Sequence, residues 1–257
     1  MTRALARTRL PSSSLIRTLA DLTVLAADEP RAAVAEKLGQ WIDFGAAITL
    51  SAVHSASPTL SQAAATRVDS AARVLIAEEF ARQRLGLENS IKAACSSTAA
   101  KSRMTLPVPQ PGVSMKEASA YEPYRRHCSA LQRDMELSTR SLRARLRERI
   151  AKASPRLRPL VELDAALDAI LGERESKLLA TLPSLLERRF AQLLKAHRHR
   201  LLAAEQEDAP ALWMKPGAWL ARFCDELQTV LLAELDLRLL PTLGLIEALN
   251  NENTKHT

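Results

Sequence analysis

Arg126, Arg133, Arg140 and Arg147 recur every seven residues in the segment that follows Tyr121, and Arg143 stands beside them. On a helix these five gather on one side, while Tyr124, Cys128, Leu131, Met135, Leu142 and Leu146 gather on the other. Four arginines so spaced make a positive ridge roughly 30 Å long. Guanidinium groups in a row suit nucleic-acid phosphates, anionic lipid headgroups or the carboxylates of an acidic protein partner. An amphipathic helix also needs a solvated face, and arginine serves there without any partner. No aromatic residue interrupts the ridge, so the base stacking of single-strand binding is not provided for. No helix-turn-helix pattern accompanies it. The candidate partner-binding residues are therefore Arg126, Arg133, Arg140, Arg143 and Arg147, facing an acidic protein or, as the alternative, nucleic acid.

Other chemistry-bearing residues converge less well. His197 and His199 are two apart, which on a helix points them about 200° from each other and forbids joint metal ligation. His197 falls on an apolar seam and reads as a core histidine. His127 and Cys128 are neighbours, but adjacent helical side chains diverge and do not form a thiol pair. The carboxylates Asp164, Asp168, Asp225, Glu226, Glu234 and Asp236 read as partners for arginines such as Arg174, Arg222 and Arg238. No Glu-x-x-His, His-Glu-x-x-His, Gly-x-Ser-x-Gly, phosphate loop or dinucleotide fingerprint occurs. The expectation is a protein that is not an enzyme, with no catalytic residues, no cofactor and no metal.

The elements that must hold the ridge follow from composition. Apolar residues make up 47% of 257 residues, enough for a sizeable core, whereas aromatics make up 4% and glycines number seven. Leu and Ala supply most of the apolar content, and both favour helices. Cys95, Cys128 and Cys224 are odd in number and widely spaced, as free buried thiols would be. Met1 to Leu25 lacks an uninterrupted apolar run, and no window approaches the roughly 20 apolar residues of a membrane helix. A cytoplasmic protein is expected. The formal charge of +7 is uneven: residues 121–158 hold eleven Lys or Arg against four acids. Arg3, Arg7, Arg9 and Arg17 make a second basic segment at the start.

Periodicity predicts an all-α bundle in three parts. An N-terminal helical unit covers 12–95. Its first helix opens at Ser12-Ser13-Ser14, and a second opens at Asp28-Glu29-Pro30 and buries Val34, Leu38, Trp41, Ile42 and Ile48. A loop over His54 to Thr66 precedes a third helix from about Arg67 to Ala94. A proline-rich linker over 96–119 centres on Pro107-Val108-Pro109-Gln110-Pro111-Gly112. The C-terminal part, 120–249, opens with a long helix to Ala153 whose seam includes Ser138. Ser154-Pro155 breaks it, and a second long helix returns from Leu160 to Leu201. Pro183 should kink or divide that return arm near Thr181. The pair reads as an elongated, coiled-coil-like antiparallel hairpin. A last helix opens near Lys215-Pro216-Gly217, and Pro241 is expected to interrupt it before a short tail helix.

Several stretches are distinctive: Gly39-Gln40-Trp41-Ile42-Asp43-Phe44, Gln132-Arg133-Asp134-Met135-Glu136, and Trp213-Met214-Lys215-Pro216-Gly217-Ala218-Trp219-Leu220. With Tyr124-Arg125-Arg126, the run Leu231 to Leu239 and the run Gly244 to Leu249, they resemble a proteobacterial family, the domain of unknown function numbered 3348. The resemblance runs from the Ser12 region to Leu249 and is loosest at the prolines. It implies no activity, cofactor or catalytic residue. It does imply a gene neighbourhood of OmpA-like and proton-channel-like envelope proteins, and hence an accessory or scaffold role beside an envelope machine. A protein partner is expected, with homo-oligomerisation left open.

Overall fold

The computed structural model describes residues 14–22, 42–55, 70–96, 104–109 and 114–252. Every regular element among them is helical. In chain order they are α1 (Ser14–Asp21), α2 (Phe44–Ser55), α3 (Ser70–Ala94), α4 (Met115–Ala118), α5 (Glu122–Ala153), α6 (Arg158–Leu179), α7 (Leu182–Ala203) and α8 (Trp219–Asn251).

α5 and α8 form the central pair. Tyr124 meets Phe223, Gln132 meets Glu234 and Glu136 approaches Arg238, so the two helices run parallel. Along α5, Arg147 meets Asp164, Arg143 meets Asp168, Arg140 meets Ser176 and Gln132 meets Leu179. These partners descend through α6 as α5 ascends, so α6 runs antiparallel to α5. α7 continues the same direction, since Arg189 meets Glu226 and His197 meets Trp219, so that it runs against α8 and hence against α5. α3 flanks the central pair in antiparallel sense: Glu79 reaches Arg145 and Arg149, while Ala94 lies at His127. α1 packs on α8 and α2 on α6.

The predicted α5 seam is buried throughout: Tyr124, Cys128, Leu131, Met135, Leu142 and Leu146 are all at most 3% exposed. Ser138 is exposed, and Thr139 takes the seam position instead. At 3.6 residues per turn the fourth residue after Met135 can face inward in place of the third. Thr139 satisfies its hydroxyl on the Met135 carbonyl at 2.8 Å. Ser154-Pro155 ends α5 through a short 3₁₀ turn, Pro155–Leu157. The return arm divides where expected: α6 ends at Leu179 and α7 begins at Leu182, with Pro183 in its first turn.

Two expectations are corrected. α8 runs unbroken through Pro241. An internal proline costs about 3 kcal/mol. Leu239, Thr242, Leu245, Ile246 and Leu249 are buried on both sides of it and hold the helical path. The helix expected to run from Pro30 through Ile48 is interrupted before Phe44, where the Asp43 carboxylate accepts from the Ala46 N–H at 2.8 Å and starts a new helix. Of the residues expected to be buried there, Ile48 is exposed and Ile42 only half-buried; Val34, Leu38 and Trp41 lie outside the described residues, as do Arg3, Arg7, Arg9 and most of the His54 to Thr66 segment.

The proline segment has irregular backbone over 104–109, and Leu106 is buried against the core with Met104 and Val108 packed beside it. α4 then opens with a Ser114–Glu117 capping box. One buried cluster joins Leu15, Leu19, Ile76 and Phe80 to the buried faces of α5, α7 and α8. Part of the segment before the prolines, Leu15, Leu19, Ile76 and Phe80 included, is therefore buried on the segment after them. No described helix is long and apolar enough to cross a membrane.

Candidate interaction surface

The five ridge arginines fall into two groups. Arg143 and Arg147, one turn apart on α5, face Asp164 and Asp168, one turn apart on α6. Arg143 grips Asp164 with two bonds, Nη2 to Oδ1 at 2.6 Å and Nε to Oδ2 at 3.0 Å, and reaches Asp168 at 3.0 Å. Arg147 donates from Nε to Asp164 at 2.6 Å and from Nη2 to Asp168 at 2.9 Å. Both guanidinium side chains are only 12–14% exposed. This quartet clamps α6 to α5, and its charges are spent inside the protein.

The other group is outward. Arg126 is exposed and pairs with Glu122 at 2.8 Å. Arg140 is half exposed and bonds Glu136 and Ser176. Arg133 is exposed and has no carboxylate partner among the described residues. The remaining basic residues of α5 are largely matched as well. Arg145 and Arg149 both bond Glu79 of α3, and Lys152 bonds Glu148. Burial alone would raise Glu79, but the two arginines hold its carboxyl below the usual range.

Arg126 and Arg133 line a cleft of about 220 Å³ together with Glu122, Arg125 and Ser129 of α5 and Ala180, Pro183 and Ser184 of the α6–α7 junction. A helix break leaves carbonyls without intrahelical donors. Here Gln132 of α5 supplies one, and Tyr121, the residue before α5, ties down the first turn of α7. The Tyr121 hydroxyl donates to the Pro183 carbonyl at 2.6 Å, and the Gln132 amide donates to the Leu179 carbonyl at 2.9 Å. The cleft lies between these two anchors, so its walls are fixed at both ends. Tyr121 is held in turn by Phe190 and Phe223, and its phenol is pushed above its ordinary range by burial. Within the cleft, hydrogen bonds from Arg125 and Arg126 keep Glu122 below the usual carboxylate range. Sequence spacing pointed to Arg126 and Arg133. It passed over Arg125, Glu122, Ser129 and Ser184, although an acid three and four residues before an Arg-Arg pair is a legible ion-pair signal.

Beneath the cleft, Gln132 also donates to Glu234 at 2.9 Å, and Arg238 pairs with Glu234 at 2.8 Å. Glu234 is fully buried, and burial raises its carboxyl above the ordinary value against the pull of Arg238. Arg189 grips Glu226 with two bonds of 2.7 Å, and Arg222 adds a third contact. His197 lies in an aromatic cluster, stacked on Trp219 and edge-on to Trp213. Asp208 bonds both the His197 ring at 3.0 Å and the Trp213 indole N–H at 2.6 Å. The cysteines are free and buried, and burial pushes the Cys95 and Cys224 thiols up to about 12. Such thiols are poor nucleophiles. No group of His, Cys, Asp or Glu among the described residues is arranged to hold a metal ion.

No match was found among curated proteins or among solved structures. A family model matches residues 1–251, nearly the whole chain, under the description "Protein of unknown function (DUF3348)". The protein belongs to the DUF3348 family.

Proposed function

We propose that the chain is a non-enzymatic helical interaction protein that holds an acidic protein partner against the outer end of its arginine ridge. One observation carries the reading. Arg143 and Arg147 are consumed by Asp164 and Asp168, whereas Arg126 and Arg133 remain exposed on a cleft with fixed walls. The role is that of a cytoplasmic accessory to an envelope-associated assembly, as the family resemblance implies. Nucleic-acid binding is the weaker reading, because few of the basic residues on α5 are left to neutralise phosphates along a strand.

The test is recovery of partners from the source cell by the tagged chain and by R126E/R133E. The reading expects a stoichiometric partner with an acidic segment, retained by the wild type and lost on reversal. A partner held equally by both forms would remove the arginine end from the account. Binding to nucleic acid that falls steeply between 50 and about 200 mM salt, and is lost on the same reversal, would replace it.

A further inference from the structure

Glu122 occupies the cleft as a ligand would. Its two carboxylate oxygens accept from Arg125 at 2.7 Å and from Arg126 at 2.8 Å, while Arg133, seven residues further along α5, lacks such a partner among the described residues. We infer that Glu122 is a built-in competitor for a partner's carboxylate, and that the cleft takes an acidic segment bearing two carboxylates about 10 Å apart. This rests on the interaction reading above.

The spacing follows from the helix. Seven residues separate Arg126 from Arg133, or roughly 10 Å along the axis. A polyproline-type segment brings residues three apart onto one side at roughly 9 Å, so an acid-x-x-acid sequence in that conformation matches both arginines. Between them the hydroxyls of Ser129 and Ser184 line the cleft and offer hydrogen bonds to the segment's backbone. Displacing Glu122 is cheap: its pairs lie within one helix and are 41–78% exposed, the class of ion pair that contributes least. Once freed, its carboxylate returns to water. The incoming carboxylate takes the same two guanidinium groups, and the second carboxylate finds Arg133. The partner gains a contact that Glu122 cannot make.

The experiment uses the full chain and a fluorescent peptide carrying Glu-Pro-Pro-Glu between Gly and Ser residues, with binding followed by anisotropy. Saturable binding is expected, together with loss on replacing both peptide glutamates by glutamine. E122Q should bind roughly three- to tenfold tighter, and R133Q weaker by a similar factor, as screened ion pairs permit. Circular dichroism confirms that both variants are folded. Absent binding by the wild type and E122Q alike, or equal binding by wild type and E122Q, would overturn the inference. Equal binding by R133Q would do so too. So would a single-stranded oligonucleotide that binds the same cleft more tightly than the peptide and is lost with R133Q. If E122Q changes nothing while R126E/R133E still abolishes partner recovery, the competitor falls and the docking reading stands. If neither variant has an effect, both fall.

Discussion

Replacing Asp164 by alanine separates the structural arginines from the outward ones. The Asp164 carboxylate takes three of the five carboxylate bonds in the quartet, the two shortest among them: two from Arg143 and one from Arg147. Its removal leaves two guanidinium groups, one turn apart and little exposed, competing for Asp168. Breaking a buried pair from one side costs about 3–5 kcal/mol. The quartet keeps some exposure, so the lower end applies, about 3 kcal/mol. A chain of this length loses about 2–4 °C of melting temperature per kcal/mol, which predicts a fall of about 6–12 °C. Thermal melts followed by far-UV circular dichroism read this directly. Replacing Arg143, Arg147, Asp164 and Asp168 together by Met and Leu should recover most of the loss, because no unpaired charge remains. R133A, by contrast, should stay within about 0.5 kcal/mol of the wild type. A D164A melt indistinguishable from that of R133A would refute the division of the ridge.

The remaining predictions concern the supports of the cleft and the far end of the bundle. Burial raises the folded-state carboxyl of Glu234, so the protonated form is favoured in the fold and its stabilising contribution is lost as pH rises above the ordinary value of about 4.5. The stability of E234Q relative to wild type should therefore rise as pH climbs above that value, read as the difference in urea midpoints; a difference that is constant with pH contradicts this. Glu226 behaves in the opposite sense. Burial would raise it, but Arg189 and Arg222 hold it down, so its contribution is present above the ordinary carboxylate value and lost as pH falls. R189A leaves that carboxylate with the exposed Arg222 alone and should cost about 1–3 kcal/mol at neutral pH in a denaturant titration. Removing Asp208 frees both the His197 ring and the Trp213 indole, so D208A should cost about 1–3 kcal/mol and shift the tryptophan emission on folding. Gly217 has a φ of +81°, a left-handed conformation that disfavours a side chain, and G217A should destabilise by about 1 kcal/mol in the same titration.

The helical faces were legible because burial and periodicity coincide. Tyr124, Cys128, Leu131, Met135, Leu142 and Leu146 alternate at three and four residues, and nothing but a helix brings them together. The breaks at Pro155 and Pro183 were legible because proline disfavours a helical residue before it yet fits the first turn of the next helix. Pro241 was not, since the burial of Leu239 and Leu245 outweighs the missing hydrogen bond, and that burial is tertiary. The same limit applies to the ridge. Spacing places Arg126, Arg133, Arg140, Arg143 and Arg147 on one side of α5, but it says nothing of what faces them. Asp164 and Asp168 lie 17 to 25 residues beyond Arg147 and Arg143, and only the antiparallel return of α6 brings them into reach. The cleft depends similarly on Tyr121 and Gln132 reaching the carbonyls of a break 62 and 47 residues away. Glu234 and Asp236 both sit in the largely apolar run Leu231 to Leu239, and the sequence does not say that Glu234 is the buried one or which partner it meets.

The measurement that bears most directly on the account is partner recovery by R126E/R133E under conditions where its melting temperature equals that of the wild type. The account predicts a fully folded variant that has lost its acidic partner, because these two arginines carry no structural pairs between helices. A folded R126E/R133E that still retains the partner at wild-type yield would contradict it.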